Sequence, residues 1–389
     1  MNMGKMSESG LKQAVFGTLK KFDMGRKGAV GVDAGEYDTA DLGVKMLNPA
    51  GAGASELNTP DTDAIKPINH KILVSSAETF GDDEGIGALA VIRASNSLAA
   101  AGARATAAVL NISVKGDNAA NNGNAVNDNN VMNNDNALIS GKAVKNDNAV
   151  TRAKRLVAEA AGVCKALGIE IIHGNTIVAT ENHVSVTVLG ETFAEMSGET
   201  TEEKSDKLII MTGSAGLSGA KILSHKYRDV LTKRLTQKYI DKADVDFESL
   251  SVAADAHKIY AAAGNSAAND MAAGNTAVGS TALHDVSSGG VFGALWELCE
   301  RENVGCRINV RDIPINQVTI EICEILDISP YELMGDGALL AIVPDTEENR
   351  RLGVVIGVTT STKDRIIVNN TENRFLEPNR RDSFYEVKV

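Results

Sequence analysis

The sequence predicts a chain of α+β class, mixed α/β in type, built as two domains. Three observations carry that expectation. Its 389 residues exceed what one hydrophobic core usually organises. Strand-like and helix-like stretches alternate along both halves. Between the halves, residues 192–206 are acidic, rich in Ser and Thr and poor in large apolar groups, as suits a linker. The domains are therefore expected over 1–197 and 198–389. Hydrophobic residues are 43% of the chain and charged residues 23%, so most of it has the composition to bury a core.

In the first half, 71–75 reads as a strand, 87–101 as a helix stopped by Gly102, and 107–114 as a strand. Residues 116–150 break the pattern, because 12 of these 35 are Asn and the stretch has too little apolar surface to offset its ordering entropy. It reads as a flexible surface insertion. An amphipathic helix is expected over 150–167, ended by Gly168, and strands over 170–173 and 183–189.

In the second half, a strand at 207–212 leads through the glycine-rich run 213–219 into a long helix whose Leu217, Leu223, Tyr227, Val230, Leu231 and Leu235 approximate one face. The Ala/Asn/Gly-biased stretch at 261–279 reads as a second insertion, which loop entropy tolerates easily. A helix follows Ser287, Ser288, Gly289 and Gly290, carries Val291, Phe292, Leu295, Trp296 and Cys299, and stops near Gly305. Strands are expected at 307–310, 338–343 and 353–357.

Charge and cysteine usage narrow the function classes. A net charge of −12 without a Lys/Arg cluster opposes binding to nucleic acid or anionic lipid. A phosphate-bearing small molecule stays compatible, since backbone N–H groups bind phosphate without net positive charge. The four cysteines lack CxxC spacing and read as small buried hydrophobes in a reducing compartment. With no apolar h-region and no run of about 18 apolar residues, a cytoplasmic location is expected.

The most motif-like stretch is 284–290, His-Asp-Val-Ser-Ser-Gly-Gly, read as a loop joining a helix. Two glycines allow close approach to a ligand, two serines can cap free N–H groups, and a helix N-terminus favours anions. Alone, the motif fits an ordinary Ser/Gly helix cap equally well, and His284 fits a structural hydrogen-bonding role.

The residues beyond it add specificity. Gly-Val-Phe-Gly-Ala-Leu-Trp-Glu-Leu at 290–298, Ile313–Pro314, Ile-Cys-Glu-Ile-Leu at 322–326, Ser-Pro-Tyr-Glu-Leu at 329–333 and Gly-Ala-Leu-Leu-Ala-Ile-Val-Pro at 337–344 stand in order. Upstream come Gly-Ser-Ala-Gly-Leu-Ser-Gly-Ala-Lys-Ile-Leu at 213–223 and Ala-Ser-Asn-Ser-Leu-Ala-Ala-Ala-Gly-Ala-Arg at 94–104. Together they resemble the AIR synthase-related (PurM-like) superfamily, on the side of the hydrogenase maturation factor (HypE-like) branch.

That resemblance implies an N-terminal domain whose sheet pairs with that of a second subunit in a homodimer, a larger C-terminal αβ domain, and an ATP site in the cleft between the domains. It implies ATP and Mg²⁺ as cofactors, an unidentified small-molecule substrate, a possible maturation partner protein, and activation of an amide or carbonyl oxygen by phosphorylation. Asn96, Gly174, Asn175, Ser287, Ser288, Gly289 and Gly290 are the implied nucleotide contacts. His284 and Asp285 would orient substrate or shuttle a proton. Asp33, in the matching Gly-Val-Asp-Ala at 31–34, and Glu78, beside Ser75-Ser76-Ala77 where the family has Ser-Asp-Pro, are the implied metal ligands, with Asp82, Asp83 and Glu84 close behind.

The sequence also departs from the family. Its Asn–Asp pair reads Asn96–Ser97 here, and its Gly-Gly-His-Thr-Glu segment reads His173 to Ile177, so two carboxylates are missing. The last residues, Tyr-Glu-Val-Lys-Val, hold no cysteine to carry a substrate group, so the carbamoyl-dehydration mechanism is not expected to transfer intact. The alternative is a catalytically degenerate protein that binds nucleotide or serves assembly.

Overall fold

The computed structural model describes residues 35–38, 71–116, 148–192, 206–272, 281–378 and 381–388. Most of the first expected insertion and of the linker, residues 273–279 of the second, and Asp33 therefore lie outside the described residues.

The first half forms a five-stranded sheet from β1 (Gly35–Asp38), β2 (Lys71–Phe80), β3 (Ala103–Lys115), β4 (Glu170–Ala179) and β5 (His183–Thr192), in the order β1-β2-β5-β3-β4. Only β3 and β4 pair in parallel, and the crossover that parallel pairing requires carries helix α2 (Ala149–Leu167). Helix α1 (Ile86–Ala100) fills the β2–β3 connection. Both helices pack on one face of the sheet, where Leu73, Ile92, Leu98, Leu156, Val184, Val186 and Val188 form a core. The strands accordingly alternate: Leu73, Ser75 and Thr79 of β2 are buried, while Ser76, Glu78 and Phe80 on the opposite face are exposed.

The ends of α2 follow from local chemistry. The Asn148 side chain accepts a hydrogen bond from the Thr151 N–H at 2.9 Å, and Gly168 ends the helix at φ 71°.

The second half holds a seven-stranded sheet, β12-β11-β8-β10-β6-β9-β7, from β6 (Leu208–Thr212), β7 (Ala282–Val286), β8 (Gly305–Asn309), β9 (Ala338–Val343), β10 (Val354–Thr360), β11 (Arg365–Asn369) and β12 (Glu372–Phe375). Its central strands are covered on both faces, so β6 and β9 are apolar without alternation. Ile209, Met211, Leu340 and Ile342 face helix α5 (Gly290–Glu302). Leu208, Ile210, Leu339 and Ala341 face helix α4 (Ala253–Ala272) and reach Ala99 and Ala100 of α1. A third cluster gathers helix α3 (Leu217–Lys226), helix α6 (Gln317–Ile325) and Leu89 of α1. Alpha-1 thus packs against elements of both halves.

Several expectations change. Beta-7 covers 282–286, so His284 and Asp285 lie in a buried strand and not in a loop. The run from 261 begins inside α4, which extends to Ala272. The long helix expected after 219 stops at Lys226, and a separate turn follows at Arg228–Leu231. Its apolar residues Leu223, Tyr227, Val230, Leu231 and Leu235 still share one cluster. All four cysteines are buried, and burial pushes the Cys164 thiol up to about 11 and the Cys323 thiol to about 12.

Candidate functional site

Because successive side chains of a strand point to opposite faces, β7 sends its two polar residues apart. Leu283 and Asp285 face α1, where Asp285 Oδ1 accepts a 3.0 Å hydrogen bond from the Ser97 hydroxyl. His284 and Val286 face α5, and His284 Nε2 lies 3.2 Å from Glu297 Oε2. His284 Nδ1 also sits 2.7 Å from the Asp285 carbonyl oxygen. Both residues are 2% exposed, and their side chains point to opposite faces of the sheet. Ser97 stands where the resembled family has an acid, and it links α1 to β7.

The turn after β7 opens α5 with two glycines in the left-handed region. Gly289 and Gly290 take φ 87° and 63°, and a Cβ on Gly290 would meet the Tyr331 carbonyl oxygen at 2.5 Å. The Ser287 carbonyl accepts from the N–H groups of Gly290 and Gly335 at 3.1 and 3.2 Å. Ser288 lies in the turn itself. The Gly289 N–H is taken within the chain, donating to Asp382 Oδ2 at 2.7 Å.

A second glycine-opened helix shows the same arrangement. Gly85, at φ 87°, opens α1, and the N–H groups of Gly85 and Gly87 each donate at 3.0 Å to one oxygen of Glu159 on α2. Arg155 bonds the same carboxylate at 2.9 Å. Asn96 is likewise engaged. Its side-chain amide donates to the Leu250 carbonyl at 2.9 Å and accepts from Val252 N–H at 3.0 Å, pinning the chain that enters α4.

Between the halves a cleft of about 660 Å³ opens, with the β2–α1 loop (Asp82, Asp83, Glu84) on one wall and α3 with the turn after it (Lys221, His225, Lys226, Arg228) on the other. Asp241, Asp244 and Phe247 close it. Lys226 Nζ reaches Asp83 at 2.9 Å, and Arg228 reaches Asp241 at 2.7 Å. Asp244 receives Lys221 and, at 3.1 Å, His225. Burial would raise the Asp244 carboxyl, but hydrogen bonds from Lys221 and His225 hold it below the usual carboxylate range. Sequence reasoning did not find this basic wall, although Lys221 and His225 stand four residues apart, the spacing of one helical face.

The remaining candidates lie elsewhere. Gly174 and Asn175 sit mid-way along the exposed edge strand β4, opposite Leu110 and Asn111. A Cβ on Gly174 would meet the Leu110 carbonyl oxygen at 2.2 Å, which accounts for that glycine by packing. Glu78 is on the open face of the first sheet, 3.8 Å from His183 Nε2. Among the described residues no group of three or more His, Cys, Asp or Glu could hold a metal ion, and Asp82 and Asp83 bond Asn182 and Lys226. The described side chains therefore do not assemble a Mg²⁺ cage.

Residues 204–363 match the family described as AIR synthase related protein, C-terminal domain. The chain is 27% identical over 202 residues to the carbamoyl dehydratase HypE of Rhodobacter capsulatus, which covers 50% of this chain and 52% of that protein. It therefore spans about half the length of the curated relatives it matches. The hydrogenase maturation protein HypE, solved in complex with ATP, shares the fold at a TM-score of 0.57 and 18% identity over 98% of both chains. HypE in a complex with HypF superposes at 0.52 and 17% identity, over 80% of this chain and 91% of that one. Among the described residues no helix is long and apolar enough to cross a membrane.

Proposed function

From a chain whose residues 204–363 match the AIR synthase-related C-terminal domain family, and whose fold is shared with HypE, we propose a HypE-like protein of hydrogenase maturation that binds ATP in the cleft between the halves. The observation that carries this reading is the cleft itself, between the β2–α1 loop of one half and α3 of the other. Lys221, Lys226 and Arg228 offer the positive groups a triphosphate needs, and each now rests on a carboxylate that a phosphate would replace. The nucleotide would supply the phosphoryl group that activates an amide or carbonyl oxygen. The chain would bind the phosphates, orient the acceptor and exclude water. Mg²⁺ would enter with the phosphates, Asp33 remaining its candidate protein ligand.

A second reading is a nucleotide-binding or assembly protein without turnover. It is favoured by Glu159 and Asp382, which fill the two helix N-termini where phosphate oxygens would otherwise sit. Release of inorganic phosphate from Mg·ATP in the presence of a panel of amides separates the two. Turnover that falls on Asp33→Ala supports the enzyme, and saturable ATP binding without phosphate release supports the assembly protein.

The expected homodimer fits the first sheet. Among the described residues nothing covers its face opposite the helices, and the edge strand β4 exposes Ile172 (55%), Ile177 (51%) and Val178 (68%). A cytoplasmic homodimer that docks a maturation partner, as HypE is seen to do with HypF, completes the proposal.

A further inference from the structure

The chain carries a net charge of −12, yet residues 226–242 hold six Lys or Arg against two acids, Asp229 and Asp241. Spread over successive turns, these cations do not read as a cluster until the fold gathers them. After α3 the chain makes one helical turn at Arg228–Leu231, a second at Gln237–Ile240 and a short 3₁₀ turn at Asp241–Ala243. Leu231 and Ile240 are fully buried in the α3–α6 cluster, and Val230, Leu235, Tyr227 and Tyr239 pack against it. Arg228 joins the two ends of this lobe through its 2.7 Å pair with Asp241, and Asp244 just beyond is taken by Lys221 and His225 of α3. Lys233, Arg234, Lys238 and Lys242 stay exposed on the outside of the lobe, and among the described residues none of the four is in an ion pair.

We propose that the outer face of residues 232–242 is a docking surface for an acidic segment of a partner protein, with Lys233, Arg234, Lys238 and Lys242 as its charged contacts. Charge selects the class of partner. The rest of the chain is net acidic, so a long polyanion laid on the lobe meets like charge within a Debye length of about 10 Å, whereas a short acidic segment is matched by the four cations alone. Both tyrosines of 226–242 pack on the core cluster, which leaves no ring there as a stacking platform for bases. Thr232, Thr236 and Gln237 are exposed among the cations and can hydrogen-bond the backbone and carboxylates of the docked segment. The backbone is already fixed, with Leu235 N–H on the Leu231 carbonyl at 2.9 Å and Ile240 N–H on the Thr236 carbonyl at 3.1 Å, so docking orders side chains only. The surface deepens the docking part of the proposed function and rests on that part alone, since none of its four cations lines the cleft.

The test uses the full chain and a fluorescent peptide of about ten glutamates, read by anisotropy at about 0.05 M salt. Saturable binding is expected. Lys233→Glu with Arg234→Glu, and separately Lys238→Glu with Lys242→Glu, should each weaken it at least about tenfold with the circular dichroism unchanged, because like charges then face the peptide. Arg351→Glu, an equally exposed reversal outside the lobe, should change it less than about twofold. No saturable binding overturns the surface, as does an equal loss in Arg351→Glu. Tighter binding of a single-stranded DNA of equal charge, or of phosphatidylserine vesicles, overturns the assignment to a protein partner. Binding of an ATP analogue by a chain that ignores the peptide removes the docking surface and leaves the nucleotide reading standing. Peptide binding lost on both reversals, in a chain that takes no ATP, does the reverse.

Discussion

Arg93 of α1 makes the buried charge contact that ties the two halves together. Its Nε and Nη2 lie 3.0 and 3.2 Å from the two oxygens of Asp336, and the Ser218 hydroxyl bonds Asp336 Oδ2 at 2.6 Å. Asp336 is fully buried, so removing it strands the guanidinium. Asp336→Ala should lower unfolding free energy by about 3–5 kcal/mol, read from the urea midpoint. Gly290 poses a backbone question: its φ of 63° and the Tyr331 oxygen 2.5 Å from a Cβ make Gly290→Ala cost about 1–3 kcal/mol. The same denaturation series checks it, and an unchanged midpoint would mean the turn relaxes. Asp244 sets a pH dependence. Because its folded pKa is depressed, its stabilisation is present above the unfolded carboxylate value and is lost as pH falls through the folded one. Its side chain is 41% exposed, so the effect should stay below about 1 kcal/mol. The Tm gap between the protein and Asp244→Asn should be present near neutrality and close as pH falls below the ordinary carboxylate range.

At the scale of elements, the edge strand β4 makes the clearest demand for a partner. Placing charge on it by Ile172→Lys with Val178→Lys should convert a dimer to a monomer in size-exclusion chromatography with light scattering, with the circular dichroism unchanged. A monomeric unaltered protein would remove the dimer from the account. Elements were legible where local chemistry decides them. Gly168 ends α2 as read from the sequence, and the run 338–343 is the strand β9; the Asn148 cap inside the expected insertion was missed. They were less legible where tertiary packing decides. Beta-7 is only five residues, and its His-Asp pair reads as a loop until partners on opposite faces, Glu297 and Ser97, are known. The hairpin β11–β12 was not anticipated, and its second strand is exposed throughout. The start of the Ala/Asn-rich run was read as an insertion, yet Ala also favours helix, and α4 continues through it.

Across the whole molecule, the order of motifs pointed to the fold, while the arrangement of charge in the cleft required long-range contacts. Glu159 lies more than 70 residues from the glycines it caps, and Asp382 lies 93 residues from Gly289, so no local pattern announces either. The basic wall of α3 faces an acidic loop contributed by the other half, and only the packing of α1 against both halves brings them together. The proposed ligand site lies in a cleft whose two walls come from different halves.

The most direct measurement is calorimetric titration of the full chain with a non-hydrolysable ATP analogue, repeated on Arg228→Ala. Saturable binding with one nucleotide per chain, weakened about tenfold by the loss of one charged phosphate contact, is the predicted result. No binding, or binding indifferent to Arg228, would contradict a nucleotide site on the basic wall of the cleft.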